Sequence, residues 1–320
     1  MRTYVLNRLL LFVPTLLGAS ILIFVILRLV PGDIAEILVY QAGGERSTIQ
    51  EKQIAQIRTE LGLDRPVVIQ YLAWAGDAVR GDFGQSYLQR RPVTEILRER
   101  LPRSLELALL TIVIAMLWAV PLGVVSAVRQ NTWADYLVRL LSISGLSLPI
   151  FFTGVLMLYL LVRFFSWLPP LEFVSFTENP VENLKQLIWP ALAQAFYISA
   201  PITRLTRSQL LEVIRQDYVR TARAKGLGER GVVYRHALGN SLLPVVTFIG
   251  WWGGRLLGGL VIVEIIFSVP GMGSALAAAV SQRDYPTVQA MVFVAALVFL
   301  TINLVVDLLY AWLDPRIRYA

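Results

Sequence analysis

Cysteine is absent from all 320 residues, so no disulfide framework, thiolate nucleophile or thiolate metal site is available. Lysine is scarce. Lys52, Lys185 and Lys225 are the whole set, and none follows a glycine, which excludes the G-K-[ST] ending of a phosphate-binding loop. A single histidine, His236, read as a loop residue, excludes an H-E-x-x-H zinc site. No G-x-S-x-G segment occurs, which removes the nucleophile elbow of a serine hydrolase, and no other nucleophile–base pair supports an intramembrane enzyme. Charge is sparse as well: 16% of residues are charged, against about 25% in a soluble domain. What remains is 56% hydrophobic, with a mean hydropathy of +0.61. These values place the chain in a membrane.

A stretch of about 20 apolar residues crosses a ~30 Å hydrocarbon core. Six such stretches stand out, near 9–30, 104–128, 137–162, 187–203, 241–267 and 287–312. The fourth is the most polar, carrying Pro190, Gln194, Tyr197 and Pro201. The first follows Arg2 and Arg8 as a signal peptide would. It exceeds an h-region of about 7–15 residues and lacks a small-residue cleavage site, so it is expected to be retained. The connection 204–238 is strongly basic, whereas 163–186 and 267–286 are neutral or slightly acidic. Positive charge in short loops marks the cytoplasmic side, which puts both termini and the basic loop inside and the loop 31–103 outside. The ten basic and ten acidic residues of that outer loop cancel. The expected fold is an all-α polytopic membrane protein with six transmembrane helices. Its parts are a cytoplasmic N-terminus with the first helix (1–30), an outer helical segment between helices 1 and 2 (31–103), and a membrane core (104–320) with a cytoplasmic loop at 204–240. Net charge +7 and a pI near 9.8 follow from this topology. Nucleic acid is no partner, because the basic residues are dispersed between apolar spans.

In the outer segment, Pro31-Gly32-Asp33 ends the first span. Ser47 with Gln50 forms a capping-box pattern, and Ile54, Ile57 and Leu61 have helical spacing. Gly62 closes that helix, and Pro66 precedes a second apolar stretch at 67–79. Arg80-Gly81-Asp82 matches an integrin-binding triplet, a match too short to carry meaning in a membrane chain.

The segment 204–244 is a charged island between apolar spans, with eight basic and three acidic residues. Leu210, Ile214, Tyr218 and Ala222 recur every four residues, which places them on one face of a helix. Gly226-Leu227-Gly228 breaks that helix, since glycine tolerates the left-handed turn. A second short helical stretch is expected over 229–238. Cytoplasmic loops are basic in any case. Helix, glycine turn and helix together, however, make a docking device, with Asp217, Tyr218, Arg220, Thr221, Ala222, Arg223, Ala224, Lys225, Gly226, Leu227 and Gly228 as its candidate residues.

A charged side chain at a helix centre costs roughly 2.5–3.5 kcal/mol on insertion scales and therefore faces protein or water. Arg255 lies midway along the fifth stretch and Glu264 further out. Each either lines or gates a translocation route or ties helices by buried hydrogen bonds. Asn303 and Asp307 share a face of the sixth stretch, Asp307 near its cytoplasmic end, where a structural role is expected. Gly250, Gly254 and Gly258 have the small-xxx-small spacing of close helix packing.

The run DYVRTARAKGLGERGVVYRHALGNSLLP resembles the cytoplasmic coupling loop, or EAA motif, of bacterial ATP-driven (ABC) importer permeases. Gly226 falls at the motif's glycine, and Arg220, Thr221 and Ala222 fall at its E-A-A places; only Ala222 matches literally. YVRTARAKGL, RLLLFVPTLLGASILIFVILRLVPGD, LGLDRPVVIQYLAWAGDAVRGDFGQSY, GGLVIVEIIFSVPGMGSAL and NLVVDLLYAWLDPRIRY resemble the dipeptide, oligopeptide and nickel branch of these permeases. The outer loop 169–185 departs from it. The resemblance implies a type I importer permease fold in the bacterial inner (plasma) membrane. It also implies a second homologous permease subunit, two cytoplasmic ABC ATPase subunits and a periplasmic or lipid-anchored solute-binding protein, with membrane lipid around them. It implies no cofactor in this chain, ATP and Mg being bound by the ATPase subunits, and no enzymatic activity of its own. The implied cargo is a di- or oligopeptide, with nickel chelates, glutathione and oligosaccharides as alternatives. A self-sufficient secondary transporter would need coupling-ion residues near the midplane, where only Arg255 stands.

Overall fold

The computed structural model describes residues 2–29, 58–59 and 64–313. Among them the regular structure is helical, apart from one isolated antiparallel bridge between Gln85 and Pro92. The helices are α1 (Arg2–Leu29), α2 (Val67–Val79), α3 (Val93–Val128), α4 (Trp133–Ser147), α5 (Ile150–Phe165), α6 (Pro180–Ile214), α7 (Asp217–Ala224), α8 (Leu238–Gly259), α9 (Val261–Ile266), α10 (Met272–Ser281) and α11 (Tyr285–Leu313). A single turn, Glu229–Gly231, and a π-helical segment, Val232–Ala237, lead directly into α8. His236, expected in a loop, lies in that π segment. The Ser47–Gln50 capping pattern and the stretch through Leu61 lie outside the described residues.

Length and composition single out fewer spans than the apolar stretches suggest. Among the described residues, Arg8–Leu29, Val93–Val128 and Tyr285–Leu308 are long and apolar enough to cross a membrane. The stretch 137–162 is not one rod. It is α4 and α5, bent by 105° at Leu148-Pro149. Proline has no N–H to donate and pushes the residue before it out of the helical region; Leu148 has ψ 124. The stretch 241–267 is interrupted at Leu260, between α8 and α9. The fourth stretch sits within the 35-residue α6, which Pro190 and Pro201 do not break. The expected boundary at 103/104 also falls inside a continuous helix, because α3 starts at Val93.

α3 and α6 lie along one another and carry the main core. Ala108, Ala115 and Ala119 of α3 and Ala191, Ala195 and Ile198 of α6 are buried there with Leu256 of α8 and Phe267. Small side chains let these backbones approach closely, which is how helices associate where lipid removes the hydrophobic drive. α1 packs on α11, and Arg8 reaches Asp307 at 3.2 Å, consistent with a structural role for that carboxylate. A second apolar cluster lies at the C-terminal ends of α3 and α6, and a third joins the start of α3 to α10 and the first half of α11.

Candidate coupling surface

The second cluster seats α7. α6 ends at Ile214, where Arg215 turns back its N–H to Glu212 and Gln216 to Val213, and Gln216 is extended at φ −71, ψ 151. The expected single helix bearing Leu210, Ile214, Tyr218 and Ala222 on one face is therefore two helices. The break shifts the register. Leu210 and Ala222 are buried, Tyr218 is 43% exposed, and Val219 is fully enclosed in its place. Val219 and Ala222, three apart, face Val124 and Ala127 of α3, Leu210 of α6, and Val232, Val233 and Ala237 of the π segment. Burying a side chain the size of valine stabilises by roughly 1.5–3 kcal/mol, so this short helix is held by its seat rather than by its own length.

The polar face of α7 is turned outward. Asp217 lies in its first turn and Arg223 in its last, which complements the helix dipole. Thr221 returns its hydroxyl to the Asp217 carbonyl at 3.0 Å. Arg220 stands 3.5 Å from Asp217, with both side chains largely in solvent. Arg223 grips Glu229 with two hydrogen bonds, 2.7 and 3.2 Å, closing the turn between the helices and holding that carboxyl below its ordinary value. Asn240 donates to the Tyr218 hydroxyl at 2.9 Å.

Between those anchors the chain makes a Schellman closure. Gly226 has φ +80 and donates to the Arg223 carbonyl at 2.9 Å, while Leu227 donates to Ala222 at 3.4 Å. A side chain at Gly226 would meet nothing within 4 Å, so positive φ, not crowding, is what requires glycine. Ala224, Lys225, Leu227 and Gly228 are exposed at this turn. The candidate residues of the island are thus gathered on one projection, with a charged outer surface and an apolar root.

Beside that root lies a cluster that sequence reasoning missed. Asp135, at the start of α4 and ahead of the apolar stretch 137–162, is fully buried and accepts four hydrogen bonds. They come from Ser126 of α3 (2.5 Å), from the Asn131 backbone (3.0 Å), and from Arg207 of α6 through Nε (2.9 Å) and Nη2 (2.8 Å). The bidentate guanidinium and the Ser126 hydroxyl saturate its carboxylate with charge-assisted hydrogen bonds. Three helices therefore meet at one saturated carboxylate, one turn of α6 before Leu210. The only sequence signal is an acidic residue in the first turn of a helix, which by itself reads as ordinary dipole complementation.

The other candidate residues lie apart from this surface. Glu264 is enclosed. Ser104 donates to it at 2.5 Å, Ser274 N–H at 2.7 Å, and the Gly273 N–H also reaches it. Ser104 in turn accepts from Met272 N–H at 2.7 Å. The carboxylate thus satisfies the free N–H groups at the start of α10, a cap delivered from another helix. A Cβ on Gly271 would collide with that carboxylate. Arg255 is exposed, its guanidinium 4.9 Å from the Trp251 ring centre. Gly250 and Gly254 pack on Val306 and Phe299 of α11, within this chain, whereas Gly258 has open space over it. Asp284 makes a further polar knot, accepting from Ser86 (2.5 Å), Tyr87 N–H (3.2 Å) and Thr287 (2.7 Å). Burial and that carboxylate push the Tyr87 phenol up to about 12.

Comparison with known proteins gives the chain a family. Residues 119–319 match the family described as binding-protein-dependent transport system inner membrane component, and residues 1–108 match its N-terminal companion. The chain is 38% identical over 339 residues to the dipeptide transport system permease protein DppB of Alkalihalophilus pseudofirmus, covering all of both chains. It is likewise 38% identical, over the full length of each, to the oligopeptide transport system permease protein AppB of Bacillus subtilis and to the glutathione transport system permease protein GsiC of Escherichia coli strain K12. A crystal structure of an amino acid ABC transporter with histidines shares the fold, with a TM-score of 0.51 at 13% identity, over 70% of this chain and 94% of that one. The chain belongs to the family of inner membrane components of binding-protein-dependent transport systems.

Proposed function

We propose that this chain is the permease subunit of an ATP-driven importer that carries di- or oligopeptides across the bacterial inner membrane. The observation that carries the reading is end-to-end similarity to peptide permeases, joined to an exposed helix–turn–helix where a coupling loop belongs. Glutathione, itself a tripeptide and the cargo named for one relative, falls in the same chemical class. The chain has no nucleotide-binding loop, so its ATPase is borrowed. Two cytoplasmic ATPase subunits dock on residues 217–228, a second permease completes the route, and an external solute-binding protein delivers the peptide. Closure of the ATPases displaces α7, and its apolar root carries the displacement into α3 and α6, alternating access between the two sides.

In this reading the chain crosses the membrane six times, with α4 and α5 forming one bent span, α6 the fourth, and α8 with α9 the fifth. Both termini and α7 are cytoplasmic, and α2 lies in the outer segment. Arg255 lines the route. Glu264, enclosed by the start of α10, acts as a fixed joint and not as a gate.

Two measurements test this. A single cysteine at Gly228 should resist an impermeant thiol reagent in intact cells, while one at Val79, 90% exposed at the end of α2, should react. Labelling of Gly228 from outside overturns the orientation and the docking role together. Peptide uptake in liposomes should require the partner permease, the ATPase subunits and ATP. Uptake by this chain alone, driven by an ion gradient, would establish a secondary transporter instead.

A further inference from the structure

We propose that Arg255 is an anion subsite in the translocation route and that it holds a carboxylate of the passing peptide. The proposal rests on the permease reading and adds the ligand chemistry of one position.

α8 has two faces. One carries Gly250 and Gly254 against α11. The other carries Trp251, Arg255, Gly258 and, past the interruption, Ile262, spaced three to four apart in one stripe. Trp251 is 45% exposed and Ile262 40% exposed, Arg255 is exposed, and nothing lies within 4 Å above Gly258. The guanidinium rests on the Trp251 ring, and among the described residues no carboxylate stands within ion-pair distance of it. In the six-span reading Arg255 lies midway along the fifth span, about 15 Å from either interface and deeper than one side chain can bridge to a headgroup. A bare cation there costs roughly 2.5–3.5 kcal/mol against lipid tails, which favours a stripe that faces water or an anion.

The surroundings decide between them. Trp251 pre-orients the guanidinium by stacking, and the two exposed glycines 258 and 259 leave room for backbone-sized matter beside it. A fork of N–H donors, an aromatic plate and open space match the carboxylate of a peptide terminus on Arg255.

The chain's lack of cysteine makes a direct test possible. Gly258→Cys is placed in the assembled importer, its modification is read on this chain by mass spectrometry, and a negatively charged and a positively charged methanethiosulfonate are compared. The introduced thiol should react. The anionic-to-cationic rate ratio should fall about tenfold when Arg255→Gln is added, the effect of removing one charge ~6 Å away in water from two reagents of opposite sign. A millimolar peptide with a free C-terminus, added to the importer in nanodiscs without binding protein, should slow the reaction; the same peptide amidated should not. Ile262→Cys, about 10 Å from Arg255 along the same stripe, gives the same readouts with a ratio change of about fourfold if the Gly258 variant does not assemble. A thiol that does not react, or reacts only without the partner permease, overturns the proposal. So does an unchanged charge ratio, or equal protection by both peptides or by neither. Wild-type peptide uptake is measured in parallel. Its absence overturns the peptide reading while the charge ratio still reports on Arg255.

Discussion

The two ends of α8 handle charge in opposite ways. At its N-terminal end the island 217–235 keeps Asp217, Arg220, Lys225, Arg230 and Arg235 in solvent and buries only apolar side chains beneath them. Beyond its C-terminal end, Glu264 and Asp284 are almost wholly enclosed, and the polar groups around them are consumed in hydrogen bonds inside the chain. The first arrangement leaves its charges free for another molecule. The second uses its charges to fix one helix to another and leaves nothing to offer a partner. A buried carboxylate is therefore weak grounds for a transport gate, and an exposed basic turn gains meaning only when something apolar holds it still.

The sharpest break of this comparison is Glu264→Ala. It strands the Ser104 hydroxyl and the N–H groups of Gly273 and Ser274, each costing roughly 1–3 kcal/mol when buried and unpaired. The expected result is loss of membrane abundance along with transport, with Glu264→Gln closer to wild type because one oxygen still accepts. Normal abundance with altered gating kinetics would restore Glu264 as a gate.

Asp135→Asn is next, because Asp135 borrows from both arrangements, being buried like Glu264 but next to the coupling root. Breaking one side of a buried pair costs about 3 kcal/mol. The loss should appear as lower membrane abundance of Asp135→Asn, partly restored when Arg207→Gln is added, since the second change removes the stranded cation. Equal abundance of wild type and Asp135→Asn would mean that the pair carries no stability.

Gly226→Val asks the converse, whether the exposed end matters without being structurally essential. A β-branched residue at φ +80 costs about 1–2 kcal/mol locally. The variant should reach the membrane in near-normal amount and keep its partner permease, yet lose ATPase attachment or transport. Co-purified ATPase and uptake, measured together, decide it; normal uptake removes the turn from the coupling mechanism.

What could be read ahead of the structure follows the range of the interactions. The glycine turn was legible because Gly226 answers to backbone sterics within five residues. α2 was legible over its full length, as a 13-residue apolar run opened by Pro66. The α6–α7 break was not: a four-residue periodicity carried through 210–222, and only packing against Val232 and Ala237, ten or more residues on, rewards burying Val219 in place of Tyr218. Ser104 with Glu264 and Asp135 with Arg207 are 160 and 72 residues apart, beyond any local pattern. The spans suffered in the same way. Hydropathy located apolar stretches but not the 105° bend that Pro149 makes between α4 and α5.

Arg220→Ala gives the smallest effect. Arg220 occupies the place of the motif's acidic residue, and its carboxylate neighbour Asp217 is 3.5 Å away, with 76% and 96% of the two side chains exposed. A pair in such surroundings is screened by water and salt and is worth only ~0–1 kcal/mol. The helix beneath it does not depend on the pair, because Val219 and Ala222 hold α7 from the other face. The variant should therefore keep abundance, ATPase attachment and most uptake at low salt, with any loss of ATPase affinity shrinking as ionic strength rises. Titration of purified ATPase onto the membrane complex at two salt concentrations reads this directly. A tenfold or greater loss that salt does not diminish would show that Arg220 is buried against the ATPase and anchors the interface, which would move the centre of the docking surface from the glycine turn to the exposed face of α7.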